Sequence, residues 1–230
     1  MWEEGRHPFV DSETKRALGL RVIGVDICAE ELRHAPLGSY DDVICCDVAR
    51  LELPNSADLA ICQAVLEHVR DTQGAIVRVV QSLKPGGRLV LFAPSRNAVF
   101  ARLNLVVPER VKKWILTRVF PETQQNPIFV AYYDRYTPRE ILSLARAHGL
   151  VLLDKRTYYL SWYFAFVFPV YVLWRIWMLI FRAIAAEQAA ETFSMAFDKP
   201  RDEKSLFLSE AITKGQARES RWASTRMQAS

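Results

Sequence analysis

The chain has 230 residues, half of them apolar, and a formal charge of +4, enough material for one domain with an appendage. So mild a charge, without a dense basic stripe interleaved with aromatics, argues against nucleic acid as a partner. Cys28, Cys45, Cys46 and Cys62 form no CxxC pair and no zinc-spaced Cys/His cluster, so they read as small hydrophobes in a reduced core, with no metal site. The opening residues 1–6 are polar, and no cleaved signal peptide is expected there.

Taken in order, residues 21–26 (RVIGVD) form a short β-branched run closed by an acid, and a helix start follows at Ala29-Glu30-Glu31-Leu32. Residues 41–47 (DDVICCD) and 57–63 (ADLAICQ) make two further apolar runs. Ile76, Val77, Val79, Val80 and Leu83 then recur at helical spacing, and Lys84-Pro85-Gly86-Gly87 stops that helix. Residues 88–93 (RLVLFA) predict a fourth strand. At residues 137–148, Thr137 is a candidate N-cap, Pro138 fills the first turn and Glu140 lies at the capping-box offset. Residues 150–158 predict another strand.

Apolar strands separated by helices describe a doubly wound, mostly parallel α/β sheet covered on both faces. Ligands of such sheets sit at the carboxyl ends of the strands, where Asp26, Asp47 and Gln63 fall.

The stretch 158–186 differs in kind, being apolar and aromatic with only Arg175 and Arg182 charged. It is long enough for a bilayer, yet Pro169 would kink it and Arg175 would be costly inside it. If residues 204–212 form the last strand, the stretch is an insertion whose ends return together, favouring an interfacial or re-entrant segment over a spanning helix. Trp162, Trp174 and Trp177 suit such an interface. Residues 108–120 (PERVKKWILTRVF) read either as a basic amphipathic surface helix or as an ordinary lid helix. The expected organisation is a core over 1–157, the apolar segment 158–186, a linker with the last strand over 187–212, and a polar, disordered tail over 213–230.

The ordered set of a strand ending in Asp26, a strand ending in Asp47-Val48, then ADLAICQAVLEHV and LKPGGRLVLFAPS, resembles the methyltransferases of the ubiquinone/menaquinone-biosynthesis type. These methyltransferase type 11 proteins belong to the class I enzymes that use S-adenosylmethionine (SAM), and the resemblance covers residues 5–100, more loosely 132–158. It implies a Rossmann-like fold, with Asp26, followed by Ile27, accepting hydrogen bonds from the ribose hydroxyls. Asp47 would receive the adenine amino group beside Val48, and Gln63 and Ala64 would line the methionine half. Leu66-Glu67-His68 matches the family's Leu-Glu-His signature, making His68 the candidate general base, with Glu67, Tyr132 and Tyr133 behind it. The family also expects a first strand and a glycine-rich loop before Asp26, of which only Gly5 remains; glycines there admit close backbone approach to the cofactor.

Two explanations compete: a chain that begins late, or a non-catalytic relic. Either way, weak SAM binding and low stability are expected of the chain as written. The implied activity is methyl transfer to a lipophilic or lipid-linked acceptor at the cytoplasmic face of a membrane. The rival is an inactive methyltransferase-like domain serving as a membrane-tethered interaction module. A nicotinamide-dependent reductase fits Asp26 but lacks a Tyr-x-x-x-Lys pair.

Overall fold

A computed structural model describes residues 10–98, 101–102, 131–134, 136–159 and 168–201. Two sheets are present. In the smaller, β1 (Ile23–Asp26) pairs in parallel with β2 (Asp42–Cys45), with Asp26 opposite Cys45. The larger has the order β3-β4-β6-β5, built from β3 (Ala57–Gln63), β4 (Leu83–Pro94), β5 (Val151–Tyr158) and β6 (Thr192–Asp198). β3 and β4 run parallel, and β6 is antiparallel to both β4 and β5. The carboxyl ends of β3, β4 and β5 therefore share one rim.

Five helices accompany the strands among the described residues: α1 (Ser12–Ala17), α2 (Ala29–His34), α3 (Thr72–Ser82), α4 (Pro138–Ala147) and α5 (Phe168–Ala185). Each boundary has a local cause. The Asp71 side chain accepts the Gly74 N–H at the start of α3. Thr137 and Glu140 form the reciprocal capping box that their spacing predicts, with Pro138 in the first turn of α4. Lys199 sends its Nζ to the carbonyls of Val80 (2.9 Å) and Leu83 (2.6 Å), satisfying acceptors at the α3 C-terminus.

One core forms between α3, α4 and the larger sheet. Ala75, Ile76, Val79 and Val80 of α3, and Ile141 and Ala145 of α4, meet Leu89, Leu91, Phe193, Met195 and Phe197. In β4 and β6 every second residue is buried, the signature of a sheet with one covered face. On the opposite face Leu59, Ile61, Phe92 and Tyr158 are exposed among the described residues. This corrects the expectation of a sheet covered on both faces: RLVLFA reads as a continuous apolar run, but it alternates Leu89, Leu91 and Ala93 inward with Val90 and Phe92 outward.

Further expectations are met or changed elsewhere in the chain. The described sheet closes with β6 at Thr192–Asp198, inside the stretch taken for linker, while residues 204–212 lie outside the described residues, as does the tail 213–230. The insertion geometry survives that shift, since Tyr158 pairs with Thr192 and the Glu191 N–H donates to the Tyr158 carbonyl (2.9 Å). Pro169 is the second described residue of α5, and the residues before Phe168 lie outside the described residues. No helix among the described residues is long and apolar enough to cross a membrane. Residues 108–120 lie outside the described residues. Of the cysteines, Cys45 is exposed rather than a core residue, whereas burial pushes the Cys62 thiol up to about 12.

Candidate functional site

The polar residues singled out from sequence stand at the carboxyl ends of their strands, as the topology dictates. Asp26 closes β1. One carboxylate oxygen, Oδ1, accepts the Cys28 N–H at 2.7 Å, and the Asp26 carbonyl accepts the Cys46 N–H at 2.9 Å. Asp47, just beyond β2, caps a 3-10 turn at Val48–Arg50 by accepting the Ala49 N–H at 2.9 Å. Both acids thus shape their own turns, while Oδ2 of each makes no hydrogen bond to the described residues and is left to accept one from a ligand. Ile27, beside Asp26, is 66% exposed and offers an apolar surface next to that acceptor.

Asp26, Ile27, Asp47 and Val48 are brought together on adjacent strand ends. Gln63 and Ala64 end β3 in the other sheet, and β1 and β3 are not paired with each other. The two units meet through the turn at Val48–Arg50, which packs on α3, with Val48 and Ala49 against the core. Ala64 has φ +50, a left-handed conformation costly for a residue with a Cβ, and its N–H donates to the Phe92 carbonyl at 2.9 Å. Strain of this kind at the rim re-aims the chain directly after exposed Gln63. Gly5 lies outside the described residues.

Beyond Ala64, Leu66–His68 form a second 3-10 turn that splits the signature by exposure. Leu66 and Glu67 are buried, while His68 faces solvent at the same rim. The Glu67 carbonyl accepts the N–H groups of Tyr132 (2.8 Å) and Tyr133 (3.1 Å), and its carboxylate accepts the Tyr136 hydroxyl at 3.4 Å. Burial raises the Glu67 carboxyl above its ordinary pKa, against the hydrogen bonds and the nearby His68, and raises the Tyr136 phenol well above its own. Glu67 is therefore a clamp that holds Tyr132, Tyr133 and Tyr136 onto the rim. Tyr136 escaped the sequence reading, which named Tyr132 and Tyr133, the latter left-handed at φ +49, only behind His68. The available signal was the aromatic run at 132–136 (YYDRY), which follows no helical or strand period.

Parallel strands with acids at the carboxyl ends of β1 and β2 and a polar rim on β3 define an α/β domain whose candidate ligand site is at the strand ends. Residues 10–91 match the family model described as methyltransferase domain. The chain is similar to the ubiquinone biosynthesis O-methyltransferase of Idiomarina loihiensis, 32% identical over 147 residues that cover 60% of this chain and 56% of that protein. It is also similar to its namesake from Cupriavidus pinatubonensis, 28% identical over 154 residues, covering 63% and 57%. The chain thus spans little more than half the length of these relatives. Among solved structures, the fold resembles a chain in the complex of the Haloferax volcanii Trm112 methyltransferase activator with a protein assigned as a methyltransferase. That match has a TM-score of 0.51 at 17% identity, covering 83% of this chain and 78% of the other. Residues 10–91 thus match methyltransferase domain sequence, and the chain's fold is similar to that of the solved structure.

The residues present fit that cofactor in chemistry. A nucleoside offers ribose hydroxyls and an adenine amino group as donors, and Asp26 and Asp47 each hold an acceptor oxygen ready for them.

Proposed function

We propose that the chain is a SAM-dependent methyltransferase acting on a hydroxyl of a lipophilic or lipid-linked acceptor presented at the cytoplasmic face of a membrane. The observation that carries this reading is the shared rim. Gln63 and the turn bearing His68 leave β3 at the rim where β5 ends and where the chain returns from α5 into β6, so an acceptor delivered along α5 would arrive at the methyl-donor side of the domain. The relatives' activity on ubiquinone precursors supports a lipophilic acceptor.

When bound, SAM supplies an electrophilic methyl on a sulfonium. Asp26 and Ile27 would hold its ribose, Asp47 and Val48 its adenine, and Gln63 with Ala64 the methionine half. His68, exposed beside the rim, would take the acceptor hydroxyl's proton as the methyl carbon's bond to sulfur gives way to one with that oxygen. Glu67 is a positioning residue: buried, it fixes Tyr132, Tyr133 and Tyr136 to the 3-10 turn rather than meeting the acceptor. A second reading, the inactive membrane-tethered module, is favoured by one observation. β1 and β3 each present an unpaired edge among the described residues, where a bound cofactor would need firm walls.

The test is transfer of label from methyl-labelled SAM into the organic phase of a bacterial membrane extract. Labelled lipid with the wild-type chain, lost in Asp26→Ala and reduced about 100-fold in His68→Ala, is the expected result. No label above the Asp26→Ala background contradicts the enzymatic reading.

A further inference from the structure

Helix α5 has three faces, and only one is packed. Trp174 and Met178, one turn apart, are buried at 5% and 3%. On the far side Leu173, Ile176, Trp177, Leu179 and Ile180 are each at least half exposed. Five large apolar side chains along one helix exceed the scattered exposure that a soluble surface ordinarily shows.

At the seam between these faces stand Arg175 and Arg182, seven residues apart and so nearly in line, two turns from one another. Both reach into a cleft of about 310 Å³ between the end of β5 and α5, lined by Thr157, Tyr159, Arg175, Met178, Leu179 and Arg182. Arg175 Nη1 donates to the Tyr159 carbonyl at 3.1 Å, and the Arg182 guanidinium lies 4.6 Å from the centroid of the Tyr159 ring. No carboxylate lines this cleft among the described residues. The whole stretch 158–186 contains no acidic residue, and the acids that flank it are engaged, Asp154 by Arg156 and Glu187 by Lys155. Two guanidiniums beside an apolar surface, with no carboxylate paired to them among the described residues, are complementary to an anionic head group carrying acyl chains.

We infer that the cleft between Tyr159 and Arg182 is a binding site for the phosphate head group of an anionic phospholipid, with α5 lying in the membrane interface on its exposed aliphatic face. The inference rests on the membrane reading above and names its partner. Arg175 and Arg182 engage the phosphodiester, Leu173, Ile176 and Ile180 enter the acyl boundary, and Trp177 sits at head-group depth. Docked in this way, the domain presents its substrate rim to the bilayer.

The experiment is cosedimentation of the full chain with vesicles of phosphatidylcholine alone, or of phosphatidylcholine with one third phosphatidylglycerol, with and without 10 mM glycerol phosphate. Expected is binding to the anionic vesicles about twentyfold tighter than to the neutral ones, at about fivefold per arginine, and unchanged by glycerol phosphate. Arg175→Gln/Arg182→Gln should bring the anionic arm down to the neutral level. Ile176→Ser/Ile180→Ser, folded by circular dichroism, should weaken both arms. The exposed Arg182→Gln alone should lose about fivefold, guarding against a double variant that fails to fold. Equal binding to both vesicle types overturns the head-group site while leaving membrane association standing. No binding to either overturns both, as does a dimer that Ile176→Ser/Ile180→Ser dissolves. Release by glycerol phosphate would make the cleft a soluble-phosphate site and overturn the lipid assignment.

Discussion

Removing the Tyr136 hydroxyl tests whether Glu67 clamps the rim. Both groups are buried, at 1% and 3% exposure, and Tyr136 donates to Glu67 Oε2 at 3.4 Å, a long bond. Tyr136→Phe leaves the carboxyl buried with one fewer donor, which places the loss at about 1–2 kcal/mol rather than the smaller figure for deleting both partners. A double-mutant cycle with Glu67→Met separates the two contributions. The coupling energy should be about 1 kcal/mol, read by urea unfolding with the slope held constant. A pH series adds an independent check. Because burial raises the Glu67 carboxyl, the folded state keeps a proton that the unfolded chain has released. The stability this brings is full below the ordinary carboxylate value and is lost as pH climbs through the raised one. Raised likewise, the Tyr136 phenol acts in the same direction above its ordinary value. Glu67→Gln, which cannot ionise, should therefore gain on the wild type as pH rises from 5 to 8. Coupling below about 0.3 kcal/mol, with a flat difference across that pH range, would refute the clamp.

Two packing predictions accompany it. Thr137→Ala removes the capping box of α4 and should cost about 1 kcal/mol, lowering Tm by about 2–4 °C in a thermal melt. Phe193→Ala empties a fully buried site on β6 and should cost about 3–5 kcal/mol, enough to abolish a cooperative unfolding transition if the chain is as marginal as its open sheet edges suggest.

Where local chemistry decides structure, the sequence was legible. β3 falls at residues 57–63 as expected, and the capping box at Thr137 and Glu140 forms as its spacing requires. The strand-end acids could be located because a parallel sheet leaves one rim for ligands. Elements settled by tertiary contact were harder. Strand β6 (TFSMAFD) is more polar than the run at 206–208, and its alternation of Phe193, Met195 and Phe197 has meaning only once β4 and β5 are placed on either side. The bare sheet face was hidden because Val and Leu look alike inward and outward in a six-residue run. Glu67 showed as a motif letter, but not that its carboxyl turns inward to Tyr136, 69 positions away. That contact depends on how the chain returns across the rim.

The central claim is that Asp26 and Asp47 serve one nucleoside, and calorimetric titration of the full chain with SAM tests it most directly. A saturable heat that disappears in Asp26→Ala, and weakens about tenfold or more in Asp47→Ala, is predicted. Heat that survives both substitutions, or none at millimolar cofactor from a chain shown to be folded, would contradict the account.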